Sequence, residues 1–171
     1  MTFKHLYMKK INFIIVLLVF LCTSIKAQTV SYSYKPLAAQ GCYMKYSVTK
    51  QEASYYIIAT VRSDRMNFLN EPTMKIRTFN NDVITLYGVS LANGSSSAGI
   101  ISGSIVIPIT EIYSTAQFKI TPEQFEIIKN GISKIRLSMT PMNHERTFKK
   151  DKIGKKLYKF YLKIKNQDDN F

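Results

Sequence analysis

The stretch Cys42–Thr49, reading CYMKYSVT, sets the period by which the chain is read. Cys42, Met44, Tyr46 and Val48 alternate with Tyr43, Lys45, Ser47 and Thr49. An alternation of two places one set on each face of a β-strand, the first set inward. Cys42 shares the apolar face, so a buried structural thiol is expected rather than a reactive one.

The same period extends in both directions. Upstream, Val30, Tyr32 and Tyr34 alternate with Ser31, Ser33 and Lys35. Downstream, Tyr55–Arg62 is rich in strand-forming residues, and Ser63–Pro72 reads as a polar loop. Thr73–Phe79 and Val83–Val89 flank Asn80-Asn81-Asp82, the pattern of a hairpin. Ala92–Gly99 holds Asn93-Gly94 and three serines, so a flexible loop or turn tip is expected there. Ile100–Ile109 and Ile112–Ile120 read as further strands, with Pro108 marking an edge or a bulge. Ser133–Thr140 alternates Ile135, Leu137 and Met139 with Lys134, Arg136 and Ser138, and Pro141 ends it.

Two helices interrupt this pattern. Thr121-Pro122-Glu123-Gln124 combines an N-cap, a proline at the first helical position, an acid and a capping-box glutamine. A short helix is predicted over Pro122–Asn130, closed by Gly131 in a left-handed cap. Near the C-terminus, Ile153, Leu157, Phe160, Tyr161 and Ile164 fall on one helical arc, and Lys152, Lys155, Lys156, Lys159 and Lys163 on another. An amphipathic helix over roughly Lys150–Lys165 is expected, weakened by Gly154. The fold class is therefore α+β: a largely antiparallel sheet of about seven or eight strands, twisted or partly closed, with one short and one C-terminal helix. A β-sandwich with an appended helix is the alternative.

Residues 1–27 read as an address. Four lysines and no acid accompany an apolar run from Phe13 to Cys22, and Ala27 ends the segment. This is the layout of a bacterial secretory signal, with cleavage expected after Ala27 and Met8 as the better start. The run is shorter than the roughly 20 residues of a membrane span. A lipid-modified Cys22 and an uncleaved anchor are the weaker alternatives, the first because Leu21 precedes the cysteine and the second because the apolar run is short. Residues 28–171 then form one exported domain, bound for the periplasm, the cell surface or the medium.

The net charge of +13 becomes +9 when the four lysines of that segment leave, and +7 of it lies within residues 144–165. The lysine arc is accordingly the candidate contact for an anionic lipid surface, lipopolysaccharide or acidic glycan; the alternative is a solvated face on a packed helix. Nucleic acid is not expected for an exported chain without an aromatic-basic reader motif. Two cysteines and two histidines exclude a disulfide framework and a multi-histidine metal centre, and no cofactor motif is present. Two catalytic arrangements are open: a Cys42–His144 dyad, or paired carboxylates among Glu52, Asp64, Glu71, Asp82 and Glu111. His144, between Pro141 and Arg146, is expected to be a solvated loop residue. The functional expectation is a non-enzymatic envelope module that binds a protein or a glycan, with a small hydrolase as the alternative.

Overall fold

The computed structural model describes residues 29–34, 42–63, 66–102 and 105–168. The segment 1–27, with Cys22, lies outside them, as do Asp64, Gly103 and the side chain of Cys42. These residues form eight strands: β1 (Thr29–Tyr34), β2 (Cys42–Gln51), β3 (Ser54–Ser63), β4 (Thr73–Thr78), β5 (Val83–Ser102), β6 (Ile105–Ile120), β7 (Ile132–Leu137) and β8 (His144–Thr147). Two helices among the described residues join them, α1 (Pro122–Ile128) and α2 (Gly154–Asp168). All strand pairs are antiparallel, in the order β1-β2-β3-β6-β5-β4-β7-β8. This is the α+β class expected, a mostly antiparallel sheet curled into a half-barrel.

Alternation builds the core. Ile57, Ala59 and Val61 of β3, Ala116, Phe118 and Ile120 of β6, and Met74 and Ile76 of β4 are buried on the concave face. Tyr46 is opposite Ala59, which is opposite Ala116. Two adjacent methyl side chains leave the volume that the fully buried Tyr46 ring fills. The curl brings side chains of the two outermost strands together: the Tyr32 hydroxyl of β1 lies 2.7 Å from His144 Nε2 of β8. The sheet edges thus meet through side chains rather than through a backbone ladder.

The helices close one end. Thr121 caps α1, its hydroxyl accepting from Gln124 N–H while the Gln124 carbonyl accepts from Thr121 N–H, as the capping box requires. Gly131 follows with φ +84°, the left-handed geometry expected of it. Phe125 of α1 and Tyr161 of α2 stack with ring centroids 4.4 Å apart, and Tyr55 meets Tyr161 edge-on at 5.0 Å. Ile153, Leu157 and Tyr161 are buried.

Three expectations need correction. First, α2 begins at Gly154, not near Lys150. Asp151 is the cap: its carboxylate accepts from the backbone N–H groups of Ile153, Gly154 and Lys155, and also from Ile132 at the start of β7. Gly154 does not weaken this junction but permits it, because a Cβ there would lie 2.7 Å from the Ile132 nitrogen. Second, Asn93-Gly94 is not a turn. It lies within the 20-residue β5, and Gly94 is opposite Tyr113, whose ring occupies the space a Cβ would take. Third, the strands expected over Ile100–Ile109 and Ile112–Ile120 are not separate units. Ile105–Ile120 is one strand, and Ile100 and Ile101 belong to β5. Pro108 does lie at an edge, since β3 pairs with β6 only from Ile112 onward.

Candidate functional site

The charged positions of β4 are Lys75 and Arg77, and those of β7 are Lys134 and Arg136. Met74, Ile76 and Thr78 of β4 and Ile132, Ile135 and Leu137 of β7 are buried, so these four side chains project from the convex face. Register then decides what they meet: Lys75 is directly opposite Arg136, and Arg77 opposite Lys134. Like charges facing across an antiparallel pair oppose folding, so neither pairing serves stability. The four line a surface depression of about 290 Å³ together with Ile76 and Val83. On the far side of β7, Glu145 of β8 bonds Lys134 at 2.5 Å and Arg136 at 2.5 Å. Hydrogen bonds from Lys134 and then Arg136 hold the Glu145 carboxyl below the usual range, so it stays charged. Lys75 and Arg77 have no carboxylate partner among the described residues. Four cations against one carboxylate, around a depression, offer chemistry suited to an anion: arginine contributes a planar fork for phosphate or carboxylate, and lysine a point charge.

The lysine arc singled out from the sequence is exposed, with Lys155, Lys156, Lys159 and Lys163 on α2 and Lys152 just before it. Lys152 also lines a second, broader depression of about 420 Å³ with Arg146, Phe148, Lys149 and Lys150. No helix among the described residues is long and apolar enough to cross a membrane.

Comparison with family models, curated proteins and solved structures finds no match for this chain. The chemistry of its sites therefore rests on their geometry.

His144 is a correction: it is fully buried at the start of β8, not solvated in a loop. Burial, and then the neighbouring Arg146 charge, push its pKa down to about 4, against an opposing pull from Glu145. The ring is neutral at neutral pH. It stacks on Tyr32 at 5.7 Å, and the same Tyr32 hydroxyl lies 3.2 Å from that of Tyr46. Phe148 packs edge-on against Tyr32. These groups join the two sheet edges. Cys42 opens β2 opposite Tyr34, and its thiol lies outside the described residues.

Among the described residues the candidate carboxylates do not converge, and Asp64 lies outside them. Glu52 is in the β2–β3 turn, Glu71 in the approach to β4, and Asp82 in the β4–β5 turn, where it accepts from Thr78. Glu111 pairs with Arg62 at 3.6 Å. None lines either depression. Among the described residues no three metal-ligating side chains come together.

The convex basic face escaped the sequence reading. Its signal was present as cations at alternate positions, 75 and 77, then 134 and 136. What was missing was the adjacency of β4 and β7, two strands separated in sequence by β5, β6 and α1.

Proposed function

We propose that this protein is an exported, non-enzymatic binding module of a bacterial cell envelope, and that its convex face holds a polyanionic partner through Lys75, Arg77, Lys134 and Arg136. The partner chemistry is a phosphate- or carboxylate-bearing envelope glycan. The observation that carries this reading is the direct opposition of like charges in the β4–β7 register. That opposition costs folding energy when empty and is relieved by an anion. Export rests on the character of residues 1–27.

The lysine arc of α2 supports a second reading, adsorption to an anionic lipid surface, because all of its lysines are exposed. One experiment separates the two. Binding of sodium hexametaphosphate, and of vesicles containing phosphatidylglycerol, is measured by titration at two salt concentrations. The double variant Lys75→Gln/Arg77→Gln is expected to lose about tenfold in hexametaphosphate affinity, or about 1.4 kcal/mol, with a flatter salt dependence. The quadruple variant Lys155→Gln/Lys156→Gln/Lys159→Gln/Lys163→Gln is expected to keep it. Loss in the quadruple variant alone transfers the function to the helix; loss in neither rejects both.

A further inference from the structure

Past Ser90 the β5–β6 hairpin leaves the sheet. β4 accompanies β5 only through Tyr87, and β3 accompanies β6 only from Ile112. Beyond these limits Asn93–Ser102 and Ile105–Ser114 pair with each other alone over most of their length, a ribbon of roughly 30 Å at ordinary strand rise. No acidic or basic residue occurs between Asp82 and Glu111, although the chain carries 24 Lys and Arg and 11 Asp and Glu.

The two long edges of this ribbon differ. Gly88 N–H donates away from β6, to the Pro72 carbonyl, which fixes the phase of the β5 backbone. Leu91 is an extra residue in β5, since Ser90 is opposite Ala116 and Ala92 opposite Thr115. After this bulge the outward-pointing backbone groups belong to Asn93, Ser95, Ser97, Gly99 and Ile101. That edge has no proline, no charge and no partner strand among the described residues. On the β6 edge, Pro108 is opposite Gly99, so its missing N–H falls on the outer side, and Glu111 follows. Proline and charge are the usual protection of a strand edge; β6 has both and β5 neither.

We propose that β5 beyond its bulge pairs antiparallel with the same strand of a second copy, giving a two-fold dimer centred on a four-stranded ribbon β6-β5-β5-β6. Charge selects this occupant. Two strongly basic bodies repel, and meeting through the longest uncharged stretch of the chain keeps the bodies at opposite ends of the joint ribbon. A lipid interior does not suit the same surface, because a bare strand edge in hydrocarbon leaves its N–H and C=O groups unpaired. Pro108 and Glu111 on both outer edges stop the assembly at two copies.

Sedimentation velocity of the full chain from about 1 μM to about 1 mM tests this. A monomer–dimer equilibrium is expected. Ser97→Pro removes one outward N–H and Ser97→Lys adds a charge at the joint; each is expected to weaken the dimer at least about tenfold. Thr110→Pro makes the matching deletion on the protected edge of β6, opposite Ser97, and is expected to leave the dimer unchanged. If Ser97→Pro shifts thermal unfolding, Ser97→Lys decides. The proposal is overturned by a chain monomeric throughout, by a dimer indifferent to both Ser97 variants, or by equal weakening in Thr110→Pro. A monomer that floats with phosphatidylcholine vesicles until Ile105→Lys removes the binding would assign the ribbon to lipid instead.

Discussion

At one end of the sheet, Phe125 and Tyr161 stack beneath two helices; at the other, β5 and β6 run on past every neighbouring strand. The helical end holds aromatic side chains in mutual contact and anchors them with Asp151, whose carboxylate takes four backbone N–H groups. Burial pushes that carboxyl up, and the four donors together outweigh it and hold it below its usual range. The ribbon end has backbone pairing between two strands whose sequence is mostly short polar and aliphatic residues, without a neighbouring strand among the described residues. Stability and interaction are thus assigned to different ends of one sheet. Damage at the helical end costs folding energy, whereas damage on the ribbon changes association.

The largest expected effect is at the helical end. Tyr161→Ala removes a fully buried ring that meets both Phe125 and Tyr55, and is expected to lower stability by about 4 kcal/mol. Urea unfolding measures this; a loss below about 1 kcal/mol would mean that α2 is an attachment and not part of the core.

The next effect lies where the sheet edges meet. Unfolded, His144 titrates near its ordinary value of 6.5; folded, near 4. Between these values the unfolded chain holds a proton that the folded chain does not. The contribution of His144 is therefore complete above about pH 6.5 and is lost as the pH falls toward about 4, by on the order of 3 kcal/mol. His144→Gln lacks this share of the acid sensitivity. Unfolding measured at both ends of that window, in both proteins, checks it; identical acid losses would show that the ring is open to solvent.

The smallest effect belongs to the ribbon. Ile105 is exposed, and Ile105→Lys is expected to shift the unfolding free energy of the monomer by less than about 0.5 kcal/mol. A larger loss in dilute solution would blur the division between the two ends.

The strands of the body were legible because each buries one face, and Met44, Tyr46, Ile76, Ile135 and Leu137 all keep the period of two. Helix α1 was legible because its start is written in four adjacent residues, with no tertiary partner needed. The failures share a different cause. Gly94 is a strand residue because Tyr113, 19 positions away, lies over it. The start of α2 depends on Asp151 reaching back to Ile132. His144 is buried because Tyr32, 112 positions away, meets it. The basic face exists because β7 docks beside β4. In each case the deciding neighbour is distant in sequence, and local propensity supports a different answer.

The bond from Ile132 to Asp151 has a consequence for timing. Helix α2 follows every strand in chain order, yet its cap is the acceptor for the first residue of β7, and its Tyr161 fills the space beside Tyr55 and Phe125. A chain that emerges N-terminus first can form hairpins early but has no sealed interior until α2 arrives. Late sealing suits the export proposed above: strands without a sealed interior would pass a translocation pore loosely, and compaction would wait until α2 had followed them.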